Sequence, residues 1–196
     1  MKIKTILILL SVIIFAFLIS QAYLIYTQKD IETHQYKILK TVDDIEIRKY
    51  ESALFTSVKL STGDYDKAGK EGFKALGGYI FGSNETQENI AMTSPVNMSL
   101  EDSVTMKFMV PKQYDKEDLP KPNQTNIEFK HMPEKTVAAI TFGGWANTNK
   151  IETYKRTLKQ VLDKNNIAYT NNFSFLGYNA PFEVFNRKNE VIVELK

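Results

Sequence analysis

From Thr5 to Tyr26 the chain is almost uninterrupted apolar residues, 22 positions in all, after which the pattern breaks into short alternations and two helical periods. At about 1.5 Å rise per residue the stretch makes a helix of roughly 33 Å, matched to a hydrocarbon core of about 30 Å. Ile6 to Ile19 is too apolar for a surface helix, and Tyr23 and Tyr26 fall where interfacial aromatic anchors sit. Residues 5–26 are therefore expected to span a membrane. A cleaved signal peptide is the competing expectation, because Ser20-Gln21-Ala22 offers small residues at a suitable spacing. The run is long, however, for an h-region of about 7–15 residues. Lys2 and Lys4 favour a cytoplasmic N-terminus, which puts the rest of the chain outside the cytoplasm. If the segment is cleaved, the product is secreted or periplasmic.

Residues 27–35 read as a polar tether, and 36–196 as one domain with an internal duplication. With an offset of 82, Ile45-Glu46-Ile47-Arg48 falls on Ile127-Glu128-Phe129-Lys130, and Phe55-Thr56-Ser57-Val58 falls on Val137-Ala138-Ala139-Ile140. Ser61-Thr62-Gly63 and Gly143-Gly144 then mark turns. In the first half Tyr65, Ala68, Gly72, Leu76 and Tyr79 follow a helical period, widened by Phe73 and Ile80; in the second, Ile151, Tyr154, Leu158, Val161 and Leu162 do so. Asn149 is the expected N-cap of the second helix, with Glu152 three residues on. Each half then ends in two strands: Ile90 to Met98 and Ser103 to Val110 against Ser174 to Val184 and Glu190 to Leu195, which puts Pro95 and Pro181 at equivalent points. Pro111 to Gln124, with three prolines, has the composition of a linker between halves of about 36–110 and 126–196. The expected fold is α+β: duplicated strand-strand-helix-strand-strand units forming a twisted antiparallel sheet or distorted barrel flanked by two helices, behind an N-terminal transmembrane helix.

Composition narrows the chemistry. The chain has no cysteine and two histidines, His34 and His131, so thiolate nucleophiles, disulfides, zinc-finger ligation and multi-histidine metal sites are excluded. No G-x-S-x-G elbow is present. Of 25 basic residues two lie in the first 26 positions, which hold no acid, so the remaining 170 residues carry 23 basic and 23 acidic side chains. A neutral domain without a run of four basic residues lacks the electrostatic footprint of a nucleic-acid binder.

Several blocks together carry a family resemblance. Tyr36-Lys37-Ile38-Leu39, Ile45 to Tyr50, Gly72-Phe73-Lys74-Ala75-Leu76, Tyr79 to Asn84, Ile90-Ala91-Met92-Thr93-Ser94-Pro95-Val96, Gly177 to Phe182 and Asn186-Arg187-Lys188-Asn189-Glu190-Val191 stand in an order and spacing that resembles the SOUL (haem-binding protein) family over Tyr36 to Lys196. The resemblance implies a twisted sheet of eight or nine strands with two flanking helices. It also implies non-covalent binding of haem or related tetrapyrroles in a groove beside the first of those helices.

Carried over position by position, the resemblance points to Lys70, Phe73, Gly77 and Gly78 on the helix, with Arg187 or Lys188 as basic partners for propionates. Gly77 and Gly78 replace larger side chains of some relatives, and Lys49 stands where some members have a histidine proposed as an iron ligand. No metal-ligating and no catalytic residue is therefore assigned. Each residue also has a plainer reading: Phe73 and Leu76 suit a core stripe, Lys70 and Lys74 a wet helix face, His131 a strand rim, and His34 a solvated tether. Membrane-tethered haem binding (buffering, carrying or sensing) is the expected function. A binding module for another flat amphipathic ligand and an enzyme acting on a tetrapyrrole remain the alternatives.

Overall fold

The computed structural model describes residues 3–101 and 103–196, so Lys2 lies outside the described residues. The apolar run forms α1 (Ile3–Thr27), followed by a single 3-10 turn at Gln28–Asp30. The first half then runs β1 (Tyr36–Val42), β2 (Ile45–Tyr50), β3 (Ala53–Lys59), α2 (Tyr65–Ile80), β4 (Val96–Ser99) and β5 (Thr105–Met109). The second runs β6 (Ile127–Met132), β7 (Lys135–Gly143), α3 (Thr148–Lys164), β8 (Tyr169–Gly177) and β9 (Lys188–Leu195). The nine strands make one antiparallel, curled sheet in the order β1-β2-β7-β9-β8-β4-β5-β3-β6, the α+β arrangement expected.

That order exposes how the duplication is built. Exchanging β2 with β6, β3 with β7, β4 with β8 and β5 with β9 reverses the list from β2 to β6, so the halves are related by a pseudo-two-fold axis between β4 and β8. The first strand of each half pairs with the second strand of the other: Ile45 lies opposite Ile140, and Val58 opposite Ile127. Only β1 has no counterpart, and it extends the sheet past β2.

Both helices pack on one face of the sheet. Asp64 caps α2 by accepting from the Lys67 N–H at 2.9 Å, and Ala68, Leu76, Tyr79 and Ile80 turn inward. Gly72 marks the closest approach of α2 to the sheet, since a Cβ there would fall 2.8 Å from the Met106 sulfur. The cap of α3 is Asn147, whose carbonyl oxygen Oδ1 accepts from Lys150 N–H at 2.9 Å; Asn149 sits inside the first turn. The two-residue difference follows from backbone, because Asn147 is extended and helical geometry already begins at Thr148. Ile151, Leu158 and Leu162 then join Ile140, Phe142, Val191 and Val193 in the main core.

The strand endings differ from the sequence expectation. Ile90 to Pro95 is irregular, tied by the Ile90 N–H to Ile80 O and by Thr93 Oγ1 donating to Met109 O, and only Val96–Ser99 forms a ladder. In the second half β8 begins five residues before the expected start and stops at Gly177, so 178–187 is a loop. Pro95 therefore precedes its strand while Pro181 follows one, and the two are not equivalent. The reason is that α3 feeds directly into β8 whereas α2 is followed by a longer irregular segment. Pro111 to Gln124 joins the halves, yet it is fastened by the buried Leu119 and by the Tyr79 hydroxyl donating to Pro120 O at 2.9 Å.

Residues 28–35 also lie along the domain. Ser94 N–H donates to Glu32 O and His34 N–H to Ser94 O, and the His34 ring packs 4.6 Å from Tyr50 and 5.3 Å from Phe55. His34 is thus half-buried, and burial, the largest influence, lowers its pKa. α1 is long and apolar enough to cross a membrane, with a mean hydropathy of 2.6 in its best window. Its one buried residue, Gln21, grips the 178–187 loop: its Nε2 donates to Phe182 O at 3.3 Å and its Oε1 accepts from Val184 N–H at 3.1 Å.

Candidate functional site

The outer side of α2 presents the first group of expected binding residues. Lys70 is exposed, and Phe73 is 40% exposed with its ring 5.6 Å from that of Phe108. Phe73 lies across Gly77, where a Cβ would come within 3.0 Å of the ring. The missing side chain at Gly77 therefore makes room for Phe73 rather than leaving an open hollow. Gly78 is half-buried and faces Ser83. The result is an aromatic face on a helix with a cation one turn away, suited to the flat surface of a conjugated ring.

Arg187 stands near the start of the same helix. Its guanidinium stacks 3.9 Å over the Trp145 ring, and its Nη1 donates to the carbonyls of Ala180 and Glu183. Its Nε is buried and has no hydrogen-bond partner. Burial lowers its pKa, opposed by Glu183 and by Tyr65, the first residue of α2, and burial raises that of Tyr65. Arg187 and Tyr65 are thus electrostatic neighbours. Phe73 lies eight residues further along, about 12 Å on the helix axis. Arg187, Trp145 and Tyr65 thus gather at the start of α2, and Lys70 and Phe73 lie further along its exposed side.

Lys188 diverges from this group because successive strand residues point to opposite faces. Its ammonium sits 3.0 Å from Glu190 and 4.2 Å from the Tyr178 ring centre, on the sheet face away from the helices. Lys49 pairs with Glu134 at 2.8 Å on the surface, and His131 is exposed on the edge strand β6 opposite Leu54. Among the described residues no three His, Cys, Asp or Glu side chains gather as a metal site.

The face opposite the helices holds a network that the sequence reading did not single out. Arg48 makes a two-pronged bond to Glu190, Nη1 to Oε2 at 2.8 Å and Nη2 to Oε1 at 3.0 Å, while its Nε reaches Glu46 at 2.7 Å. Tyr178 hydroxyl donates to Glu190 at 2.7 Å and Thr141 hydroxyl at 3.1 Å. Arg48 is 2% exposed and Glu190 fully buried. Burial opposes charge on both, but the mutual hydrogen bonds outweigh it, holding Glu190 below the usual carboxylate range and Arg48 above its own. Burial and the Glu190 charge push Tyr50 up to about 12. Arg48 and Glu190 are each placed in strands whose other face is also apolar, and this was the available signal. An ionisable residue held inside a two-sided core needs a partner.

Comparison with known proteins agrees with this architecture. The family profile described as SOUL heme-binding protein matches residues 31–194. Heme-binding protein 2 of Mus musculus is 30% identical over 155 residues, which cover 74% of this chain and 75% of that protein. Heme-binding protein 1 of Xenopus laevis is 30% identical over 154 residues, covering 74% and 80%. Among solved structures the C-terminal domain of EcmrR superimposes with a TM-score of 0.62 at 13% identity, over 82% of this chain and 98% of that one, and shares its fold.

Proposed function

Since the chain belongs to the SOUL heme-binding protein family, we propose that it binds haem or a related tetrapyrrole non-covalently while tethered to a membrane by α1, with the domain at 36–196 outside the cytoplasm. The observation that carries the reading is Phe73, half-exposed on α2 one turn beyond Lys70 and with Arg187 near the start of the same helix, within a chain whose relatives are named heme-binding proteins. Phe73 over Gly77 supplies a ring to stack on; Lys70 and Arg187 meet propionates. Lys188, held by Glu190, reaches a propionate only by exchanging that partner.

Physical chemistry permits binding without an iron ligand. If a porphyrin covered roughly 400 Å² of apolar surface, the gross gain at about 25 cal/mol/Å² is on the order of 10 kcal/mol before association costs, which leaves room for micromolar affinity. The exposed ion pairs add only about 0–1 kcal/mol each and serve orientation. Binding of this kind is reversible and suits buffering, carrying or sensing better than turnover.

The test is a hemin titration of the full chain in detergent micelles. A saturable Soret change, weakened several-fold in Phe73→Ala and in Lys70→Glu, is expected. A response no larger than that of empty micelles plus an unrelated protein would overturn the reading. Topology is tested separately, by a reporter fused after Lys196: activity confined to the cytoplasm contradicts the proposed orientation.

A further inference from the structure

The sheet face turned away from α2 and α3 carries a second group of unused side chains. Two short links, Glu51-Ser52 between β2 and β3 and Pro133-Glu134 between β6 and β7, join strands that do not pair with each other. Tyr50 is opposite Lys135 and Ala53 opposite Met132, so both links cross the open side of the curled sheet at the same end. Beneath them lies a shallow cleft open to solvent. Phe55, Leu176 and Ile192 form its apolar floor, and His34, Asn97, Lys107 and Lys135 contribute its polar groups.

Those polar groups are poorly matched within the protein. Lys107 and Lys135 are half-buried, and neither has a carboxylate within salt-bridge distance among the described residues. Burial lowers the pKa of both, Lys135 lowers that of Lys107 further, and Glu194 opposes the shift at each without offsetting it. Asn97 is the direct cross-strand neighbour of Lys107, which brings their Cβ atoms to about 5 Å, and its Oδ1 is buried without a hydrogen-bond partner. The Arg48–Glu190 pair on the same face is internally satisfied, so it does not compensate these charges.

We propose that this cleft is a binding site for a small amphipathic carboxylate, its charged group held by Lys107 and Lys135 and its apolar body lying on Phe55, Leu176 and Ile192. An anion there gives two half-buried cations a counter-charge within contact distance, which no carboxylate among the described residues supplies. The apolar floor selects a carbon-rich acid over inorganic phosphate. The site is separate from the α2 flank, since it lies on the opposite face of the sheet.

The test uses the full chain in lipid nanodiscs and calorimetric titration with benzoate, benzamide and benzylamine. Benzoate is expected to bind saturably, benzamide at least tenfold more weakly, and benzylamine not at all. Lys107→Met and Lys135→Met should each weaken benzoate at least tenfold and leave the hemin titration unchanged. Both variants remove a half-buried unpaired cation, so their melting temperatures should hold or rise, which separates a lost site from a lost fold. Equal binding of benzoate and benzamide, or benzoate binding that survives in both variants, overturns the proposal. Competition between benzoate and hemin overturns it as a separate site, whereas failure of hemin to bind the wild type leaves the benzoate result to stand or fall alone.

Discussion

Glu190→Gln removes one charge from the most densely bonded group on the sheet face away from the helices. The carboxylate receives two bonds from Arg48, one each from the hydroxyls of Tyr178 and Thr141, and the Lys188 ammonium at 3.0 Å. Every one of these neighbours is a donor. A glutamine amide offers one accepting oxygen and turns an NH2 toward the others, so Arg48, 2% exposed, keeps only the partly exposed Glu46 as counter-charge and faces a donor. Breaking a buried pair from one side costs about 3–5 kcal/mol. For a domain of this size that is a fall in Tm of about 6–20 °C, at about 2–4 °C per kcal/mol. Near-UV circular dichroism of the full chain in micelles reads the loss. The double variant Arg48→Met/Glu190→Leu should recover most of it, because it leaves no buried charge unpaired. A single-variant loss below about 1 kcal/mol would refute the reasoning, and so would a double variant no better than Glu190→Gln.

Stability should decline as the solution is acidified, in two windows. His34 has a folded pKa below its ordinary 6.5, so the unfolded chain takes up the proton first and stability drops as pH falls below 6.5; Glu190, also depressed, adds a second drop below about 4.5. Urea melts between pH 8 and 3 check both, and His34→Phe should flatten the first. Gly72→Ala should cost about 1–3 kcal/mol in the same melts, because the added methyl meets Met106 at 2.8 Å, and Gly69→Ala, with open space around it, should not destabilise. Arg187→Ala should change the emission of the single tryptophan, which loses the guanidinium stacked 3.9 Å away; an unchanged spectrum contradicts that stack.

The duplication was legible because it sits in residues whose physics is local. The offset of 82 places β2 on β6, β3 on β7 and α2 on α3 almost residue for residue, through strand alternation and helical period. The segments beyond each helix were less legible. Ile90 to Pro95 has strand-like residues, but its hydrogen bonds go to Ile80 and Met109 across the fold, a destination no local pattern records. Beside α2, Lys70, Phe73 and Arg187 were named as candidate binding residues from the sequence, while Trp145 was not and Tyr65 was read only as part of the helical stripe. Their proximity to Arg187 arises only when β9 returns beside β7. The role of Gly77 likewise needed coordinates, since sequence shows a missing side chain and not the ring that fills its place. His34 and Lys107 come together because the residues after α1 and the middle of β5 meet at one mouth of the sheet.

The exchange of first strands between the two halves governs how the chain can be made. β2 finds its partner β7 only after Lys135 to Gly143 has been synthesised, and β7 in turn waits for β9 at the very end of the chain. A product truncated after Met109 would therefore present β2, β3 and the Arg48 guanidinium with their pairing groups unsatisfied. Neither half is an autonomous folding unit, and expression of either alone should give aggregation or a paired dimer rather than a monomer. Contacts so distant in sequence make for slow folding. Until β9 has been made the sheet edges stay open, which makes the partly synthesised chain a natural client for chaperones.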